Sequence, residues 1–166
     1  MSEVARVTLC AVEPSDLDGF FAHQLDPVAI RMAGFVAPDR TDRAAFHAHW
    51  ARIQRSALNI NRTIIVDGQV AGSIACFPQG EDREVTYWLG REYWRRGIAT
   101  RALELLLTLV PTRPLVARVA TDNVGSIRVL QKCGFTVVGQ DRGFAHGRGQ
   151  ETDEYLLRLD RSTGAP

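Results

Sequence analysis

The change of pattern at Gly97 constrains this chain more than any other stretch. Val85-Thr-Tyr-Trp-Leu-Gly90 reads as a strand running into a turn. Arg91-Glu-Tyr-Trp-Arg-Arg-Gly-Ile-Ala-Thr100 then leads through a short basic loop into a helix that Pro111 stops. A period-two run that gives way to helical periodicity across a glycine specifies a strand–loop–helix unit. The start of such a helix presents N–H groups without partners and a positive partial charge, which together attract anions. Gly97 lets the backbone approach a phosphate closely. Arg95 and Arg96 add charge at the same place, and Thr100 offers a hydroxyl in the first turn. The stretch is neither a Walker A loop nor a dinucleotide fingerprint, because both glycine patterns are absent. Gly147-Arg-Gly149 falls in a loop between late strands.

Strand-like and helix-like runs alternate along the rest of the chain. Arg6 to Val12 reads as a strand. A helix follows Pro14, with Leu17, Phe20, Phe21 and Leu25 at helical spacing. Asp26-Pro27 restarts the chain into a short segment, Val28 to Met32. Thr41 is the expected N-cap of a helix from Asp42 to Ala57, with Phe46, Trp50 and Ile53 on one stripe. Arg62 to Val66 and Gln69 to Phe77 flank Asp67-Gly68, a strong hairpin signal. Further strands are expected at Glu84 to Leu89, Pro114 to Thr121, Phe135 to Gln140 and Thr152 to Leu159. Helices are expected at Ile98 to Val110 and at Asn123 to Cys133, the second closed by Gly134. The pattern gives an α/β (α+β) fold in one domain over 1–166, its core from about 6 to 160 and a loose tail at 161–166.

Composition excludes several function classes. The chain carries 20 basic and 19 acidic residues, a formal net charge of +1 that supplies no basic field for nucleic acid. Cys10, Cys76 and Cys133 are odd in number and widely spaced. They form neither a CxxC pair nor a disulfide framework, which fits a reducing cytoplasm. No signal peptide is visible at the start, and no apolar run reaches the roughly 18–20 residues that span a membrane. His47 and His49 lie two apart on a helix and do not share a face, so no metal site is expected there or elsewhere. Lys132 is the only lysine, in a chain that otherwise uses arginine.

A second informative stretch follows the first: Asn123-Val-Gly-Ser126-Ile-Arg-Val129-Leu130-Gln-Lys132-Cys-Gly134-Phe135. Together, in this order and separation, the two stretches resemble the GNAT superfamily of acyl-CoA N-acyltransferases. The first is similar to that family's Q/R-x-x-G-x-G/A motif, the second to its N-x-x-S/A-x-x-[VL]-[LY]-x-K-x-G-F motif. The wording Tyr87-Trp88-Leu89-Gly90 with Tyr93-Trp94 and Gly97-Ile98-Ala99-Thr100 resembles the branch that includes the ribosomal-protein N-terminal-alanine acetyltransferases. The resemblance implies a GNAT-like fold, with a central, mostly antiparallel sheet of about seven strands flanked by about four helices. It implies acetyl-CoA as co-substrate, no metal, and a primary amine as acceptor, either a protein N-terminus or a small molecule such as an antibiotic. Family members often form homodimers, and the analogy admits a homodimer here.

The same resemblance assigns residues. Trp88, Leu89, Arg95, Arg96, Gly97, Ile98, Ala99, Thr100, Asn123 and Lys132 are the expected coenzyme contacts, Leu89 through backbone pairing with the pantetheine arm. The strand from Glu84 is expected to part from its neighbour after a bulge and expose backbone N–H groups. Trp94 stands where the family motif begins with Gln or Arg, and Thr86 where relatives often have glycine. Leu130 occupies the position of the family's tyrosine general acid, so that helix has no such acid. Ser126 is expected near the coenzyme sulfur instead, and Glu84 as the base that takes the amine proton. Trp50 and Phe35 lie in the region that forms the family's acceptor cleft. No cysteine lies in a nucleophile motif and no G-x-S-x-G elbow occurs, consistent with direct transfer. Two other readings stay open: a non-catalytic acyl-CoA-binding or sensing domain, and a nucleotide-binding α/β domain that the missing glycine fingerprints disfavour.

Overall fold

Seven strands form one sheet: β1 (Val7–Ala11), β2 (Ile60–Val66), β3 (Gln69–Gln79), β4 (Asp82–Leu89), β5 (Leu115–Ala120), β6 (Thr136–Ala145) and β7 (Gln150–Leu159). Their order is β1-β2-β3-β4-β5-β7-β6, and every neighbouring pair is antiparallel except β4 with β5. The structure, a computed structural model, describes residues 5–161. The segment 162–166, most of the expected loose tail, lies outside the described residues.

Parallel neighbours need a crossover. Here α4 (Ile98–Leu109) supplies it. The other helices are α1 (Leu17–Gln24), α2 (Pro27–Ala33), α3 (Arg43–Arg55) and α5 (Val124–Lys132). The segment after Asp26-Pro27 is thus a helix of its own. Asp26 caps it by accepting from the N–H groups of Val28 and Ala29, and Pro27 takes the first position, where no N–H is needed.

One core lies between the sheet and α4 with α5. Ile98, Ala102, Leu103 and Leu106 form the inner stripe of α4, and Leu130 enters from α5. They meet Ile64, Ala71, Ile74, Val85, Leu115 and Leu157 from the strands. Successive strand residues point to opposite faces, so Val70 joins the other cluster while Ala71 joins this one. That second cluster is Leu17, Phe20, Phe21, Phe46 and Trp50, from α1 and α3. Trp50 is a core residue, its ring centroid 5.0 Å from that of Phe20, and it is not among the residues that line the cleft described below.

Asp67 and Gly68 both adopt positive φ, 49° and 83°, the mirror-image turn that a two-residue hairpin requires. Three expectations need correction. Asp42, not Thr41, caps α3 by accepting from the Ala45 N–H, while Thr41 turns back onto Asp39. The final hairpin is longer than expected and pairs from Thr136 opposite Arg158 to Ala145 opposite Gln150. Its polar middle reads as loop in sequence, yet cross-strand pairs such as Arg142–Asp153 at 3.1 Å hold it extended. Finally, β4 has no bulge: its register against β3 is unbroken from Asp82 to Leu89.

Candidate functional site

β4 and β5 pair only at Arg83 with Leu115 and Glu84 with Val116. Beyond that point β4 continues to Leu89 and β5 to Ala120 without backbone pairing, so the sheet is split. A cleft of about 720 Å³ opens there, within the range of small-molecule sites. Its walls come from the β4–α4 loop, the start of α4, the exposed side of α5, and Ala29, Met32 and Ala33 of α2.

Gly97 is the N-cap of α4, with φ 75° and no side-chain cap. The first helical bond runs from the Arg101 N–H to the Gly97 carbonyl. The N–H groups of Ile98, Ala99 and Thr100 therefore have no partner within the helix, and all three residues line the cleft. A Cβ on Gly97 or on Gly125 would meet open space, so bare backbone faces the cavity on both sides. Arg95 is itself left-handed, with φ 60°, which is uncommon outside glycine and tightens the loop. Arg95, Arg128 and Lys132 give the cleft three cationic side chains. Among the described residues Asp122 is its one acid, and Arg148 holds it in a two-pronged pair at 2.7 and 2.8 Å. The arrangement suits an extended anionic ligand with phosphates on the α4 end.

Gly90 donates its N–H to the Ala71 carbonyl at 2.8 Å, which turns the neighbouring Leu89 peptide groups away from β3 and toward the split. The Leu89 carbonyl is taken by the Trp94 indole Nε1 at 2.9 Å, leaving its N–H for a ligand. Trp94 thus braces the loop from the position where the family motif has Gln or Arg.

Of the expected coenzyme contacts, Trp88, Leu89, Arg95, Gly97, Ile98, Ala99, Thr100, Asn123 and Lys132 all line the cleft. Arg96 does not: its guanidinium lies over the Tyr93 ring, 5.7 Å from the centroid. Asn123 caps α5 by accepting from the Ser126 N–H at 3.3 Å. Arg128 was missed, although it precedes Lys132 by one turn and shares its helix face.

Glu84 stands at the vertex of the split rather than in the cleft wall. Its Oε1 is 3.5 Å from Arg118 Nε and makes no hydrogen bond among the described residues. Burial pushes its carboxyl above the usual carboxylate range, with the Arg118 guanidinium opposing and Glu154 adding to the rise. Arg118 also meets Glu154 at 3.3 Å and Asp141 at 3.9 Å. Three carboxylates therefore surround one guanidinium at the vertex.

Sequence reasoning also missed the role of Tyr87. Its Oη lies 2.6 Å from Ser126 Oγ, across the split from β4 to α5. Burial pushes its phenol up to about 12, against the lowering effect of the Ser126 hydrogen bond. Among the described residues, no group of three or more His, Cys, Asp or Glu is placed to hold a metal ion. No helix among them is long and apolar enough to cross a membrane.

The acetyltransferase (GNAT) domain model matches residues 6–136, well over half of the chain. The chain belongs to the GNAT acetyltransferase family. Solved GNAT structures share its fold at low identity. Spermidine N-acetyltransferase from Vibrio cholerae, in complex with CoA and spermine, superposes with a TM-score of 0.79 at 17% identity, covering 94% of this chain and 96% of that one. Mycobacterium smegmatis RimJ, in complex with CoA-disulfide, does so with a TM-score of 0.78 at 21% identity, covering 93% of this chain and 82% of that one. An uncharacterized N-acetyltransferase, p20 of Bacillus licheniformis, is 30% identical over 80 residues. That match spans 46% of this chain and 45% of the relative, less than half of each.

Proposed function

We propose that this protein transfers an acetyl group from acetyl-CoA directly to a primary amine. The observation that carries the reading is the split between β4 and β5, flanked by the uncapped N-terminus of α4 on one wall and by Ser126 and Lys132 on the other. Acetyl-CoA would supply the activated acyl group as a thioester. The free N–H groups of Ile98, Ala99 and Thr100 hold its pyrophosphate, with Arg95 adding charge. The Leu89 N–H pairs with the pantetheine arm as an added strand would. Ser126 faces the sulfur from the first turn of α5, where the helix dipole favours developing negative charge. Glu84, at the vertex, takes the proton that the amine loses, directly or through water.

The acceptor is a cation before it reacts. The carboxylates of Glu84, Asp141 and Glu154 outnumber the single Arg118 guanidinium at the vertex, which favours a cationic acceptor. An α-amino group, with a pKa of about 7.7–8.0, is partly neutral already, whereas a lysine-type amine near 10.4 needs a stronger base. A base held among other charges suits the first. A protein N-terminus, as in the resembled branch, is therefore the leading acceptor. A small amine is the second, since the spermidine enzyme has the same fold.

A thiol-release assay with acetyl-CoA across N-terminal peptides, spermine-like polyamines and other small amines tests the reading. Product mass gains one acetyl group on nitrogen if it holds. Coenzyme binding with no acetylation of any amine would instead make the protein an acyl-CoA sensor.

A further inference from the structure

We propose that Tyr87 is a positioning residue for acyl transfer: its hydroxyl donates to Ser126 Oγ and so turns the serine's own hydrogen toward the leaving sulfur. This inference rests on reading the cleft as an acetyl-transfer site.

The contact is short, 2.6 Å, against 3.4 Å from the same Tyr87 Oη to the Ser126 carbonyl, so Oγ is the nearer acceptor, and both residues line the cleft. Each hydroxyl has one hydrogen to give. A phenol, with a pKa of about 10 in water, is far more acidic than an aliphatic alcohol, so the tyrosine is the better donor of the two. Burial favours the neutral phenol further, which keeps Tyr87 a donor across the physiological range. Ser126 Oγ then serves as acceptor. It makes no other hydrogen bond among the described residues, so its hydrogen is left for the cleft.

One turn further along α5, Leu130 is 2% exposed and belongs to the core. The helix therefore brings the Ser126 hydroxyl to the cleft but no phenol of its own. The strand on the other side of the split provides one instead. During transfer the amine lone pair forms the N–C bond. The C–S bond breaks with its electron pair on sulfur, and the amine proton passes to Glu84 or to water. The Ser126 O–H stabilises the thiolate by a hydrogen bond, and neither Ser126 nor Tyr87 changes protonation. Without the Tyr87 hydroxyl, the serine rotor is free to point elsewhere.

The test compares Tyr87→Phe, Ser126→Ala and the double variant in the full chain. Tyr87→Phe keeps the ring and is checked by thermal melting. The expected result is a fall in kcat of about tenfold or more, with the KM for acetyl-CoA within about twofold of wild type. The double variant is expected to be no slower than Ser126→Ala, because Tyr87 acts only through the serine. A kcat within twofold of wild type in Tyr87→Phe, or losses that multiply in the double variant, overturns the proposal. If Tyr87→Phe fails to melt cooperatively, Ser126→Ala decides: an undiminished kcat there leaves nothing to position and overturns it equally. A wild-type protein that binds coenzyme A and acetylates no amine overturns the underlying reading first, before any variant is made.

Discussion

Glu84 pairs with Val116, and no residue of β4 beyond Glu84 pairs with β5. The base proposed for the reaction therefore sits at the point where the sheet divides. The backbone freed beyond it faces the cleft, so one topological feature places both the base and the coenzyme-binding edge.

The protonation of Glu84 sets the first prediction. Burial, with Glu154, raises its carboxyl above the ordinary value, and Arg118 only partly offsets this. A carboxyl raised in the folded state stabilises the fold while protonated and gives that up as pH rises through the folded value. Glu84→Gln, neutral throughout, should gain stability relative to wild type in thermal melts as pH rises above the ordinary glutamate range. Its kcat should fall about a hundredfold, and the acid limb of kcat/KM, above the usual glutamate range in wild type, should vanish. An unchanged limb would remove Glu84 as the base.

Arg95 and Arg96 are adjacent, yet only Arg95 lines the cleft. Arg95→Ala should weaken coenzyme A binding several-fold, more at low salt than at high, because screening shortens the reach of the charge. Arg96→Ala should change it less than about twofold, since its guanidinium is spent on Tyr93. Titration calorimetry at two ionic strengths separates them.

Arg148 ties three segments together. Its Nε donates to the Arg31 carbonyl at 2.8 Å, Nη2 to the Met32 carbonyl at 3.2 Å, and both Nη groups to Asp122. Its side chain is only 9% exposed. Arg148→Met should leave the α2 carbonyls short of donors and cost about 2 kcal/mol in denaturant unfolding. Because α2 forms a cleft wall, substrate KM should rise more than kcat falls.

In the core, Leu106 is fully buried on the inner stripe of α4. Leu106→Ala should destabilise the protein by about 2–5 kcal/mol, read from urea unfolding, by lost burial plus a residual cavity.

Local rules made much of this legible beforehand. Asp67-Gly68, Gly97, Asn123 and Gly134 each demanded a particular backbone geometry, and each adopts it. The linear pattern also placed most of the cleft residues, because helix starts and strand ends bind ligands with backbone. What it did not reveal depends on contacts between distant segments. Tyr87 and Ser126 are 39 residues apart, and Arg148 reaches carbonyls 116 and 117 residues away. Arg96 looked equivalent to Arg95 until the turn directed them differently. The charged middle of β6 disguised a strand, because its partners lie on β7. Helical spacing alone would have found Arg128, one turn before Lys132.

Calorimetric titration of the full chain with coenzyme A reports whether the start of α4 holds the coenzyme. Wild type should bind one equivalent. Gly97→Val puts a branched side chain on a left-handed residue whose Cβ would enter the open cleft, and it should bind at least about tenfold more weakly while still melting cooperatively. No binding by wild type, or undiminished binding by Gly97→Val, would contradict the placement of the coenzyme at the start of α4.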